Sequence, residues 1–128
     1  MKNKDELYDI LRSSGFKLIE QDTSKYFGDY YDTFANDAFE LRFSSSKSFE
    51  EVDIRSREEK ENWYDLALVK ALLYNEEKLS IATAIEEHNK FLKKELHRIG
   101  ILFSKKNYSA TKKKLDELGN ERAKQMFP

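Results

Sequence analysis

Residues 27–74 decide the fold: FGDYYDTFA (27–35), a turn at Asn36-Asp37, AFELRFS (38–44), a serine loop, FEEVDIRS (49–56), a charged link, and WYDLALVKALLY (63–74). In the second segment Phe39, Leu41 and Phe43 alternate with Glu40 and Arg42. In the third, Val52 and Ile54 alternate with Glu51, Asp53 and Arg55. A period of two sends alternate side chains to opposite faces, so these segments predict a sheet with one buried and one wet face. That pattern is typical of antiparallel meanders. Charges on the wet face can pair across strands for roughly a few tenths of a kcal/mol each. Asn36-Asp37 tolerates positive φ, which suits a tight hairpin.

Residues 63–74 have a different period. At about 100° per residue, their apolar side chains occupy nearly the whole circumference, and only Asp65 and Lys70 interrupt them. Such a helix must be covered on more than one side. The sheet can cover one and later helices the other, so Trp63, Leu66, Val69, Leu72 and Leu73 are predicted to be largely buried.

Outward from this centre, residues 3–14 place Leu7, Ile10, Leu11 and Ser14 at helical spacing, and Gly15 can end that helix. Phe16 and Leu18 alternate with Lys17, which suggests a short strand over 16–21. Ser80 can cap a long helix running to about Phe103, with Gly100 off the centre of its apolar stripe, permitting close packing or a bend. A last helix starts at Ser109 or Thr111, with Thr111, Leu115, Leu118 and Met126 on one side and Phe127 close by. The predicted class is α+β: an N-terminal helix, a three- to four-stranded antiparallel sheet, then a buried helix and two C-terminal helices on one sheet face. At 128 residues the chain is expected to form a single domain (helix 1–15, sheet 16–56, helical part 63–127).

The absence of cysteine excludes disulfides, thiolate nucleophiles and Cys-based metal sites. The first fifteen residues lack a signal peptide's apolar core, and the apolar run 66–73 is too short for a bilayer. The expectation is a soluble, cytoplasmic protein. A net charge of −1 conceals a split. Residues 1–65 hold 10 basic and 16 acidic side chains, and residues 66–128 hold 13 and 8. The acidic half can attract a basic partner.

Chemistry-bearing residues are few. His88 and His97 are nine residues apart on one predicted helix, about 180° around it, and cannot ligate one metal together. His97 is expected to face solvent. His88 and Glu95 fall in the apolar stripe, as an acid–base pair or as polar groups satisfied by other helices. Arg122, on the apolar side of its own helix, is the natural partner for a buried Glu95. Lys112-Lys113-Lys114, with Lys90, Lys93, Lys94, Lys105, Lys106 and Tyr108, could contact phosphates or be a solvated face; no nucleic-acid-binding signature accompanies them. There is no phosphate loop, HExxH or GxSxG. The run Glu58-Glu59-Lys60-Glu61 lacks calcium-loop spacing and reads as a solvated link. No catalytic, cofactor-binding or metal-binding residue is assigned.

The composite of Phe27-Gly28-Asp29-Tyr30-Tyr31, Phe39-Glu40-Leu41-Arg42-Phe43, Val52-Asp53-Ile54 and Trp63-Tyr64-Asp65-Leu66, followed by Val69 and Leu72-Leu73, resembles the small α+β immunity proteins encoded beside bacterial polymorphic or contact-dependent toxins. The likeness covers residues 16–73 and concerns framework residues. It implies a non-enzymatic binding protein that neutralises a cognate toxin, commonly a nuclease or other enzyme, by direct contact. Were the toxin a nuclease, its site would be basic, and the acidic half of this chain would be the counterpart. The expected partner-binding residues are then Glu40, Glu51, Asp53, Glu58, Glu59 and Glu61. The alternative is a nucleic-acid-associated or regulatory protein using the lysine-rich helices.

Overall fold

The computed structural model describes residues 4–23, 30–46, 49–60, 62–79 and 84–127. Their order is α1 (Lys4–Ser13), β1 (Lys17–Thr23), β2 (Tyr30–Ala35), β3 (Phe39–Ser46), β4 (Phe49–Ser56), β5 (Tyr64–Asp65), α2 (Leu66–Tyr74), α3 (Ile85–Leu102) and α4 (Tyr108–Met126). The class is α+β, and the sheet has five strands rather than three or four, in the order β1-β2-β3-β4-β5 with every neighbour antiparallel. The additional strand is the dipeptide Tyr64–Asp65, whose sequence reads as the first turn of a helix.

Helix α1 buries Leu7, Tyr8 and Leu11, while Ile10 is half-buried and Ser14 exposed. It ends at Gly15, which takes φ +93°, and the Phe16 N–H donates to the Leu11 carbonyl at 2.9 Å. That six-to-one bond over a left-handed residue is a Schellman stop. Phe16 is buried, and Leu18 stands opposite the core residue Phe34 but stays 37% exposed on the edge strand. A register shift between Leu18 and Glu20 then interrupts the alternation at Ile19, which is also exposed.

The hairpin between β2 and β3 is closed by a side chain, not by positive φ. Asn36 Oδ1 accepts the N–H groups of Ala38 and Phe39, both at 2.8 Å. Among the described non-glycine residues, only Asn75 has positive φ. The register Phe39↔Ser56, Leu41↔Ile54 and Phe43↔Val52 puts Phe39, Leu41, Phe43, Val52 and Ile54 on one buried face, as the alternation requires. Phe34 and the α1 residue Tyr8 pack with them, their rings 4.6 Å apart.

Helix α2 is the centre of the helical layer. Leu66, Ala67, Leu68, Val69 and Ala71 are buried, whereas Leu72 and Leu73 are only partly so. Asp65 caps it by accepting the Ala67 N–H at 3.0 Å. Helix α3 begins at Ile85 after Ala84, and the expected cap Ser80 lies outside the described residues. The close packing expected at Gly100 does not hold: a β-carbon there would meet nothing within 4 Å. Thr111 ties α4 to the end of α3 by donating to the Leu102 carbonyl at 2.7 Å. Only the first half of α4 reaches the core, through Tyr108, Thr111 and Leu115, with Leu118 packed at its edge. Met126 and Phe127 are exposed, contrary to expectation, because the helix has run past the core by then.

Candidate partner-binding surface

The sheet's second face is built from the side chains between the core positions. The register sets Arg42 opposite Asp53, Glu40 opposite Arg55, and Ser44 opposite Glu51. Arg42 and Asp53 pair at 3.4 Å, as opposite charges facing across a ladder should.

Glu40 departs from expectation. Alternation assigns it to the wet face, yet it is 1% exposed. Arg55 binds its Oε1 twice, at 3.1 and 3.2 Å, while Arg57 and Lys60 approach Oε2 at 3.3 and 3.8 Å. A carboxylate can leave water only when paired and hydrogen-bonded, and three cations meet that condition here. Its charge is therefore spent inside the protein.

Trp63 is the second departure. Its helical period predicts a place inside the helical core, but the chain between Asn62 and Leu66 is extended, so the indole falls on the other side of the sheet. There it lies under two guanidiniums, with Arg42 4.1 Å and Arg55 4.4 Å from its ring centre. Arg55 also donates to the Lys60 carbonyl at 2.9 Å. One arginine thus joins the strand, the buried Glu40, the link and the indole. Cation–π contacts of this kind contribute about 0.5–2 kcal/mol each. Nothing in the periodicity of residues 63–74 marks Trp63 as separate from the helix. The signal that could have found the stack is the pair Arg42 and Arg55 on one face of adjacent strands, with a lone tryptophan eight residues further on.

Of the remaining expected contact residues, Glu51 is exposed and Asp53 half-buried. Burial pushes the Asp53 carboxyl above the usual carboxylate range, Arg42 pulls it back, and the nearby Glu51 and Asp65 add to the rise. Asp65 stands opposite Asp53 in the register and is neutralised by Arg122 at 2.8 Å. Glu58 and Glu59 are exposed, but their N–H groups bond Ser56 Oγ at 3.0 and 3.3 Å, which shapes the link. The Glu59 carboxylate pairs with Lys112 of α4 at 2.8 Å and raises the lysine's pKa. Glu61 lies outside the described residues. The fold therefore sets Glu51 and Asp53 on the face of the stack, withdraws Glu40, and turns the Glu59 carboxylate toward α4.

The other singled-out residues lie elsewhere. His88 is buried on α3, and its Nδ1 has no hydrogen-bond partner among the described residues. Burial lowers its pKa. Glu95 is also buried, but its partner is Arg98, one turn along at 2.8 Å, not Arg122. The nearby Glu95 carboxylate raises the Tyr74 hydroxyl's pKa. Arg122 is drawn to Asp65 instead, because the strand β5 carries that carboxylate to α4. His97 is exposed, as expected. Among the described residues no group of three or more His, Cys, Asp or Glu could hold a metal ion, and no helix is long and apolar enough to cross a membrane.

Comparison with protein-family models, with curated proteins and with solved structures found no match to this chain.

Proposed function

We propose that this chain is a binding protein of the immunity type, which neutralises a cognate bacterial toxin domain by direct contact through the sheet face around Trp63. The observation that carries this reading is the Arg42–Trp63–Arg55 stack, on the sheet face opposite the apolar core, with Glu51 and Asp53 on the same face. Tryptophan and arginine are the residue types that most often dominate binding energy at protein interfaces. Here they are held by one another, by Glu40 and by Asp53 before any partner arrives, so little side-chain freedom is left to lose on binding. Glu51 and Glu58 supply local negative charge that steers a basic partner. With Glu40 neutralised internally, the face is less acidic than its composition, and recognition depends on the stack as much as on charge.

The test is complex formation between the full chain and a toxin domain encoded beside it, measured by calorimetry. The reading requires a stoichiometric complex that Trp63→Ala weakens by at least about tenfold. No complex, or one indifferent to Trp63→Ala, rejects it.

A further inference from the structure

A second surface lies between α1 and α3, away from the Trp63 stack. It is an open groove of about 790 Å³. Its apolar side is formed by Ile10, Phe16, Leu96 and Ile101, and Ile101 is 50% exposed. Lys93, Lys94 and His97 line the same groove, and no acidic side chain does so among the described residues. Lys93 is engaged by Glu6 of α1 at 3.1 Å. Among the described residues the side chains of Lys94 and His97 have no ion-pair or hydrogen-bond partner. Gly100 also lines the groove, one turn along α3 from Leu96 and His97. A glycine inside a helix is a poor helix former, and the space over this one is open, with nothing within 4 Å of where a β-carbon would stand. The missing side chain deepens the groove where its apolar and cationic sides meet.

We propose that this groove docks an acidic amphipathic segment of a partner protein. The apolar floor takes one or two aliphatic or aromatic anchors, and carboxylates of the same segment reach Lys94 and His97. The lining along α3 runs from Lys93 to Ile101, about 12 Å at the helical rise, which suits a short helical or extended segment. The charge of the rim selects against a basic segment. The inference uses a different face from the sheet and does not depend on the toxin-neutralising reading.

Gly100→Leu tests it cleanly, because the new side chain improves helix propensity, meets no neighbour at its β-carbon and fills the groove. The full chain and the variant, both checked by circular dichroism, are panned against random peptides about twelve residues long, more than enough to span ~12 Å as a helix. The proposal predicts enrichment of peptides with apolar anchors and Asp or Glu on the wild type alone. It also predicts at least about tenfold weaker binding of a selected peptide to Lys94→Glu/His97→Glu, and weakening as salt is raised. No enrichment, enrichment of basic peptides, or equal binding to Gly100→Leu would overturn it. So would salt-dependent capture of a labelled single-stranded oligonucleotide in place of peptide, blocked by Gly100→Leu, which would assign the groove to nucleic acid.

Discussion

Glu40 and Arg55 face each other on neighbouring strands, and the guanidinium holds the buried carboxylate by two bonds at 3.1 and 3.2 Å. Removing the carboxylate leaves Arg55, Arg57 and Lys60 crowded together without their counter-charge. Those cations are partly exposed, so water takes up some of the loss. Glu40→Ala should cost about 1–3 kcal/mol, measured by urea unfolding. It should also raise acrylamide quenching of Trp63, the single tryptophan of the chain. A variant as stable as the wild type would show that the cluster is dispensable.

Arg42→Ala isolates one side of the indole stack. Arg42 covers Trp63 at 4.1 Å and pairs with the half-buried Asp53. The substitution should lower stability by about 0.5–2 kcal/mol and make Trp63 more accessible to quencher. Unchanged quenching would mean that Arg42 does not cover the ring in solution.

The helical layer gives a contrast between two leucines of α2. Leu66 is 0% exposed, whereas Leu72 is only partly buried. Leu66→Ala should cost about 2–5 kcal/mol by leaving a cavity, and Leu72→Ala clearly less. Equal losses would contradict the observed rotation of α2 against the sheet.

Folding holds His88 neutral, with its pKa lowered by burial, while Asp65 and Glu87 oppose that shift and Lys70 adds to it. The unfolded chain binds the proton at about pH 6.5. Between its lowered folded value and ~6.5 the unfolded state therefore holds more protons, and stability rises with pH there. As pH falls below about 6.5, His88 should remove up to ~1.4 kcal/mol per pH unit until its folded value is reached. His88→Gln should flatten that part of the pH–stability curve, followed by urea unfolding. An unchanged slope would place the titration elsewhere.

How much of this was legible in the sequence depended on the range of the interaction. The buried face of β3 and β4 could be read from alternation alone, because a one-residue slip would have put Asp53 in the core. Gly15 announced its own turn. Trp63, Tyr64 and Asp65 could not be read, since apolar residues before a helix look the same whether they continue it or form a strand. That ambiguity hid the fifth strand, the arginine stack and the Asp65–Arg122 pair, all of which follow from extended backbone at three residues. The burial of Glu40 was hidden for a related reason. Period-two patterning says which face a side chain takes, not whether longer neighbours will close over it. The groove beside Gly100 was invisible because it is formed by α1 and α3 together.

We propose the face around Trp63 as the surface through which this chain would neutralise a toxin. The most direct measurement is growth of cells expressing a toxin domain, should one be encoded beside this chain, together with either wild type or Glu51→Lys/Glu58→Lys. Both altered residues are exposed, so the fold should persist by circular dichroism. The account predicts full rescue by the wild type and poor rescue by the folded variant, with slower association at low salt. Failure of the wild type to protect, or full protection by the variant, would contradict it.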